Sequence, residues 1–298
     1  MSLTSTMTPA ASWDISNSDR SFAPHYTHRV KHNSATATAP KIRVAKGRNS
    51  SKQLQQLEIL YNEAKNLFHQ SALSRSFQIM LQAKSRPRVT KVVSLGLGSL
   101  GPSKDQTRRI KQLVIFINIA SYLDASSSEN DAVALYAQDP NFTKTDEEFL
   151  GSLGIRVLKT PSASDLGEAG SMIDGETIVY SPFLTIDAYI QLFAPLSAKS
   201  RGASGPDAIL PALIGDDFNA LKMKWEKRTA EHRQVDEIMK EIKARDYQRR
   251  AVGGGGFWED ADSPFPMAFY WRQSSAGQRV LAGDQRTKVV AKPRRQKL

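Results

Sequence analysis

Between residues 91 and 216, short apolar runs alternate with stretches whose apolar positions recur every three or four residues. The runs are Lys91–Leu95, 132–137, Ile155–Leu158, 176–180 and 208–214, and turn-forming residues bound them. Runs of that length and setting predict buried strands. Helical spacing lies between most of them. Ile110, Leu113, Val114 and Ile117 share one face of a helix expected to start at Lys104, with Ser103 and Gln106 as its capping box. Thr145 with Glu148 predicts a second, short helix, and Thr185 opens a third that carries Ile186, Tyr189, Ile190 and Phe193. Alternation of this kind argues for a mostly parallel sheet covered by helices on both faces. Right-handed crossovers then give a doubly wound, Rossmann-like α/β domain of about five strands in the order 3-2-1-4-5, with the 91–95 strand central. Pro211 would remove a ladder donor from the last run, so that strand is expected at an edge or a bulge.

The flanks add helices. Leu54, Leu57, Leu60, Tyr61, Ala64, Leu67 and Phe68 form one stripe, and a second helical piece follows until Pro87 excludes helix from the residue before it. After Gly215-Asp216-Asp217 a long helix is expected over 216–250, with Phe218, Leu221, Trp225, Val235, Met239 and Ile242 on its apolar stripe. Its charged middle is expected in solvent or against a protein partner. Residues 159–175 read as a long loop, either a lid or a mobile insertion. Phe257, Trp258, Phe265, Phe269, Tyr270 and Trp271 follow a glycine run, and burying one large ring is worth a few kcal/mol. The 257–271 aromatic segment is therefore expected to fold back on the domain, with a partner-docking surface as the alternative.

Charge changes the picture only at the ends. The net charge of +11 divides into +6 over residues 1–53 and +7 over 271–298, which leaves −2 for the body. A nucleic-acid-binding domain would carry its basic face on the folded part. Tail charge supports at most weak, salt-sensitive contacts with nucleic acid or anionic lipid. Residues 1–50 and 272–298 are expected to be disordered basic tails around a single domain over 51–271, whose motif core spans about 85–220. A mitochondrial presequence is the alternative for the first tail, and Asp14 and Asp19 count against it. Cysteine is absent, which removes disulfides, thiolate metal sites and thiol catalysis. No run approaches a membrane span. A cytoplasmic or nuclear address is expected, with 292–297 as a weak nuclear-import signal.

Candidate chemistry gathers where such a sheet binds ligands, outside the carboxyl ends of its strands. The residues there are Gly96, Leu97, Gly98, Ser99 and Gly101 after the first strand, and Asp139 after the second. Ser181 and Pro182 follow the fourth, and Gly215 and Asp216 the fifth. Residues 96–101 spell G-x-G-x-x-G, and Asp139 stands where dinucleotide- and adenosyl-binding proteins keep a ribose-binding acid. NAD(P) or S-adenosylmethionine is the cofactor these residues would suit. The motif requires its helix to begin within the glycines, and Pro102 places the helix later. Arg108 and Arg109 would attract an anion, although solvated surface residues are the simpler reading. His69 and His232 are the only histidines beyond residue 50, and both fall on predicted helices away from the strand ends. No haem or zinc site is evident.

Four stretches together resemble one family. Val92-Val93-Ser94-Leu95-Gly96-Leu97-Gly98-Ser99 with Gln112-Leu113 is similar to the opening motif of SRR-like ("sensitivity to red light reduced") domain proteins. Tyr136 to Asp139-Pro140, Phe142, Leu150 and Leu153-Gly154 resemble the second block, Val179-Tyr180-Ser181-Pro182 the third, and Leu213-Ile214-Gly215-Asp216 the last. The resemblance implies a regulatory protein, here read as a fungal member, from a family linked to light signalling and circadian output in plants. It is also linked to microtubule-related phenotypes in yeast and haem-linked regulation in animals. No settled catalysis comes with it. Many members have Pro-His-Cys in the third block, whereas Phe183 and Leu184 follow Pro182 here, so haem ligation does not carry over. Two other functions stay open: a nucleotide- or S-adenosylmethionine-dependent enzyme using the 96–101 loop, and a nucleic-acid adaptor acting through the tails.

Overall fold

The computed structural model describes residues 45–82, 88–125, 132–181, 183–193, 210–253, 255–259 and 263–272. Both expected tails, the import signal and Pro182 fall outside these residues, apart from a few at the inner ends of the tails. Two helices lead in, α1 (Ala45–Gln70) and α2 (Ala72–Leu81). Ser71 separates them, donating to Phe68 O and accepting from Ser74 N as the N-cap of α2. The sheet then alternates with helices: β1 (Lys91–Leu95), α3 (Gln106–Asp124), β2 (Ala134–Gln138), α4 (Lys144–Ser152), β3 (Ile155–Leu158), α5 (Ala169–Met172), β4 (Thr177–Ser181), α6 (Ile186–Phe193) and β5 (Ala212–Asp216). It ends with α7 (Phe218–Lys224), α8 (Ala230–Ala244), β6 (Tyr247–Val252) and β7 (Met267–Arg272).

Strand order is β3-β2-β1-β4-β5-β7-β6. The first five are parallel in the expected order with β1 central, and β6 and β7 join antiparallel beyond β5. Alternate strand residues serve two cores. Val92, Ile178 and Ile214 face α1, α2, α3 and α4, while Val93, Val179 and Leu213 face α6, α7 and α8. The domain is doubly wound, with seven strands where about five were expected.

The sequence misplaced several boundaries, each for a visible reason. β5 is interior, not an edge. Pro211 precedes the strand, and its carbonyl accepts from Arg272 N at 3.0 Å, so it caps the β5–β7 ladder without interrupting it. The expected 216–250 helix is two helices and a strand. Trp225 ends α7 in extended conformation, and Thr229 Oγ1 caps α8 by accepting from His232 N at 3.2 Å. Between them the all-polar 226–228 segment offers no apolar face to hold a helix against the sheet. α3 starts at Gln106, two residues late, and Ser103 does not cap it. The Gln106 amide instead donates to Leu100 O at 2.9 Å. The capping box of α4 is Thr143 with Asp146, two residues before the expected Thr145 and Glu148. The 159–175 loop contains the single turn of α5.

The aromatic segment folds inward. Phe257 packs edge-on to Phe68 with ring centroids 5.2 Å apart, and Phe269 and Tyr270 are buried in β7.

Candidate functional site

The turns after β1 and β2 share one groove. Gly96 N donates to Gln138 O at 3.1 Å, and Gly98 N donates to Asp139 Oδ2 at 2.7 Å. Gly96 and Gly98 have φ of 75° and 77°, a region L side chains avoid. A Cβ on Gly96 would also sit 2.9 Å from Phe183 O, because the chain leaving β4 is laid across it. These turns, the loop after β3 and the segment at Phe183 and Leu184 enclose a cleft of about 210 Å³.

Arg108 and Arg109, from the first turn of α3, both line this cleft. Arg109 lies over Gly98, where a Cβ would meet its Nε at 2.6 Å, and its Nη1 donates to Ser99 O at 2.7 Å. Arg108 pairs with Asp105 and places its guanidinium over the Phe183 ring, 5.1 Å from the centroid. The acids on the cleft wall are turned to protein donors. Asp139 accepts from Gly98 N, Asn141 N and Asn141 Nδ2, and Asp165 accepts from Gly167 N. Both guanidiniums pair with Asp105 as well, Arg109 Nη2 at 3.9 Å from Asp105 Oδ2, so the cleft offers a ligand the N–H groups that these bonds leave over.

The expected site residues separate into three groups. Gly96, Leu97, Gly98 and Asp139 line the cleft. Ser99 and Gly101 turn away from it. The Ser99 hydroxyl donates to Asp146 Oδ2 at 2.8 Å and accepts from Gly101 N at 3.2 Å, and Leu100 N donates to Asp146 Oδ1 at 3.0 Å. Ser181, Gly215 and Asp216 gather instead around Tyr189. Its hydroxyl donates to Ser181 O at 2.8 Å, accepts from Asp216 N at 3.1 Å and lies 3.3 Å from Asp216 Oδ2. A Cβ on Gly215 would strike the Ser181 and Tyr189 oxygens. This cluster is closed, and burial pushes the Asp216 carboxyl up from 3.8 to about 7, against the lowering pull of Tyr189 and Lys224. Next to it, Asp217 is held by Arg249 in a two-pronged ion pair.

Asp146 and Gln138 were missed in the sequence. Asp146 is fully buried and also accepts from Thr143 N and Oγ1, so it ties the glycine loop to the start of α4. Gln138 is buried at the end of β2 and pins the loop after β3, donating to Leu166 O and accepting from Ala169 N. Asp146 carries the capping-box signal of Thr143-x-x-Asp146, but its bonds to Ser99 and Leu100, like those of Gln138, are long-range contacts that no motif marks.

The glycines do not form a dinucleotide cradle. Four amides of the loop, at 96, 98, 100 and 101, already donate to protein acceptors. α3 begins five residues after Gly101, and the space above Gly98 holds a guanidinium where the fingerprint would admit a pyrophosphate. The glycines serve close packing. Among the described residues no group of three or more His, Asp or Glu is placed to hold a metal ion.

The SRR1 domain matches residues 48–276, most of the chain and all four motif stretches. The chain belongs to the SRR1 domain family. None of the curated proteins matches it. Among solved structures, cofactor-bound Rv0187 from MTB is similar at 9% identity and TM-score 0.38, covering 80% of this chain and 100% of that one. Aeropyrum pernix fibrillarin with natively bound S-adenosyl-L-methionine is similar at 9% identity and TM-score 0.32, covering 66% of this chain and 74% of that one. Likeness at that level says nothing about a ligand of the SRR1 domain described here. No helix among the described residues is long and apolar enough to cross a membrane.

Proposed function

We propose that this SRR1 domain protein is regulatory, and that its cleft binds a small anionic ligand whose presence is read by a protein partner, with no reaction catalysed. The observation that carries the reading is that Arg108 and Arg109 line one cleft with Asp139 and Asp165, whose carboxylates already accept from protein amides. The volume of about 210 Å³ lies below the ~300–1,000 Å³ of sites for drug-sized ligands, which favours a compact ligand over a dinucleotide. Partner contact is assigned to the 216–250 region in preference to 257–271, whose rings are largely committed to the core. Met223, 87% exposed at the end of α7, is the apolar point of that surface.

A second reading keeps one observation. Asp139 follows β2 beside the glycine loop, which is where an acid would meet the ribose of a nucleotide or S-adenosylmethionine. Thermal-shift measurements with inorganic phosphate, AMP, NAD and S-adenosylmethionine separate the two. Binding at 100 times the dissociation constant adds about 2.7 kcal/mol of stability. We expect shifts with phosphate and AMP that an Arg108→Gln/Arg109→Gln variant loses. A shift with NAD or S-adenosylmethionine alone would favour the enzyme reading, and silence from all four would remove both.

A further inference from the structure

Buried polar atoms destabilise a fold unless they are hydrogen-bonded, so the few exceptions point to something missing. Among the described residues six buried side-chain nitrogens and oxygens make no hydrogen bond. Five of the six belong to Ser94, Arg108, Gln112 and Tyr180; the other is Trp225 Nε1.

Those four residues are brought together by the fold. Ser94 on β1 is registered beside Tyr180 on β4, and both take the pleat of Val92 and Ile178, which α3 covers. Phe116 of α3 stacks on the Tyr180 ring with centroids 6.3 Å apart. Gln112 lies one turn before Phe116 and Arg108 one turn before Gln112, so the three share a stripe that runs from the core to the cleft. Ser94, Gln112 and Tyr180 are each 0% exposed, whereas Arg108 lines the cleft. All three buried residues also belong to stretches that carry the family likeness, yet none was singled out as a site residue.

We propose that Gln112, Ser94 and Tyr180 form an inner subsite behind Arg108 that takes a carboxamide head group of the ligand. The inference rests on the cleft-binding reading above. Gln112 presents one acceptor and one donor group, and the two hydroxyls can do either. A carboxylate only accepts and would leave Gln112 Oε1 orphaned, and an ammonium only donates and would leave Nε2 orphaned. A carboxamide matches both. Burial holds the Tyr180 hydroxyl well above its ordinary range, so it stays protonated and able to donate. Arg108, resting on Phe183 and Asp105, is the member of this stripe that lines the cleft, so entry to the subsite requires its long side chain to rotate.

Benzamide and benzoate, which share a ring and differ in head group, test this on the full chain by thermal shift and ligand-observed NMR. Benzamide is expected to bind and benzoate to bind more weakly. Gln112→Leu and Tyr180→Phe are each expected to weaken benzamide about tenfold, the factor one lost hydrogen bond supplies, while phosphate binding is retained. Gln112→Leu is also expected to raise the melting temperature of the free protein, because it removes an unmet amide. Benzamide binding that ignores both substitutions overturns the subsite. So does a high-resolution crystal structure in which ordered water satisfies Ser94, Gln112 and Tyr180 and stays in place with benzamide present. Phosphate binding without benzamide binding sinks the subsite alone, and loss of both sinks the cleft reading as well.

Discussion

At the scale of single residues, Gly96 and Gly98 look alike in the sequence and differ in the fold. Both have positive φ, so alanine at either costs roughly 1–2 kcal/mol in backbone strain. The new methyl at 96 meets the Phe183 carbonyl, which is backbone, whereas at 98 it meets the end of the flexible Arg109 side chain. Gly96→Ala is therefore expected to destabilise more than Gly98→Ala in chemical denaturation; equal losses would contradict the packing described. Asp216 gives a pH prediction. Its folded carboxyl titrates near 7 and its ordinary value is 3.8, so the native state holds a proton that the unfolded state gives up between those values. Stability contributed by that proton is full below pH 4, falls as pH rises towards 7, and is level above it. Asp216→Asn should be more stable than the parent at pH 8, by something on the order of a few kcal/mol, with the difference gone by pH 4. A variant less stable at both pH values would show that the charged form is needed. Neither property was legible beforehand. The sequence marks glycine and aspartate, but not which carbonyl presses on one or how much solvent the other has lost.

At the scale of elements, alternation of apolar runs and helical stripes was enough to read five parallel strands, their order and the central place of β1. That pattern is local, and so is its cause. What failed depended on distant partners. The β6–β7 pair was hidden because Tyr247-Gln248-Arg249-Arg250 reads as the charged end of a helix; only the β7 ladder turns it into a strand. Pro211 points to an edge or a bulge through its missing donor, whereas its carbonyl, which accepts from Arg272 N, is what matters in the fold. Two tests follow. Truncation after Pro266 removes β7 and bares β5, whose five residues are all buried, so the product should be insoluble or unfolded by circular dichroism. Asp146→Ala would leave the Leu100 amide and the Thr143 donors unmet inside the protein, at a cost of about 3 kcal/mol seen in denaturant midpoints. The same variant should loosen the glycine loop, read as faster amide exchange at Leu100 and Gly101. Full protection there would mean that Arg109 alone holds the loop.

At the scale of the whole molecule, the positive charge lies outside the body, since residues 54–270 carry −2 against +11 for the chain. Removing 1–44 and 273–298 should abolish salt-sensitive retention on immobilised RNA, and retention that survives would place a basic surface on the domain itself. The groove was legible as a place, through the strand-end rule, but its occupants were assigned too broadly. Ser181, Gly215 and Asp216 sit at correct strand ends and still point into a closed cluster around Tyr189. The rule locates an edge of the sheet and is silent about which side chains a neighbouring helix will seal.

The antiparallel extension beyond β5 bears on how the chain behaves in a crowded cell. A sheet ending at β5 would offer a flat, apolar border of unpaired amides, a template for strands of other molecules. Here one rim is the four-residue β3 and the other is β6, which sets exposed Gln248 and the charge of Arg250 along its length, Arg249 being held by Asp217. Like charges meeting along two such borders repel, so the molecule carries its own safeguard against polymerising sheet to sheet.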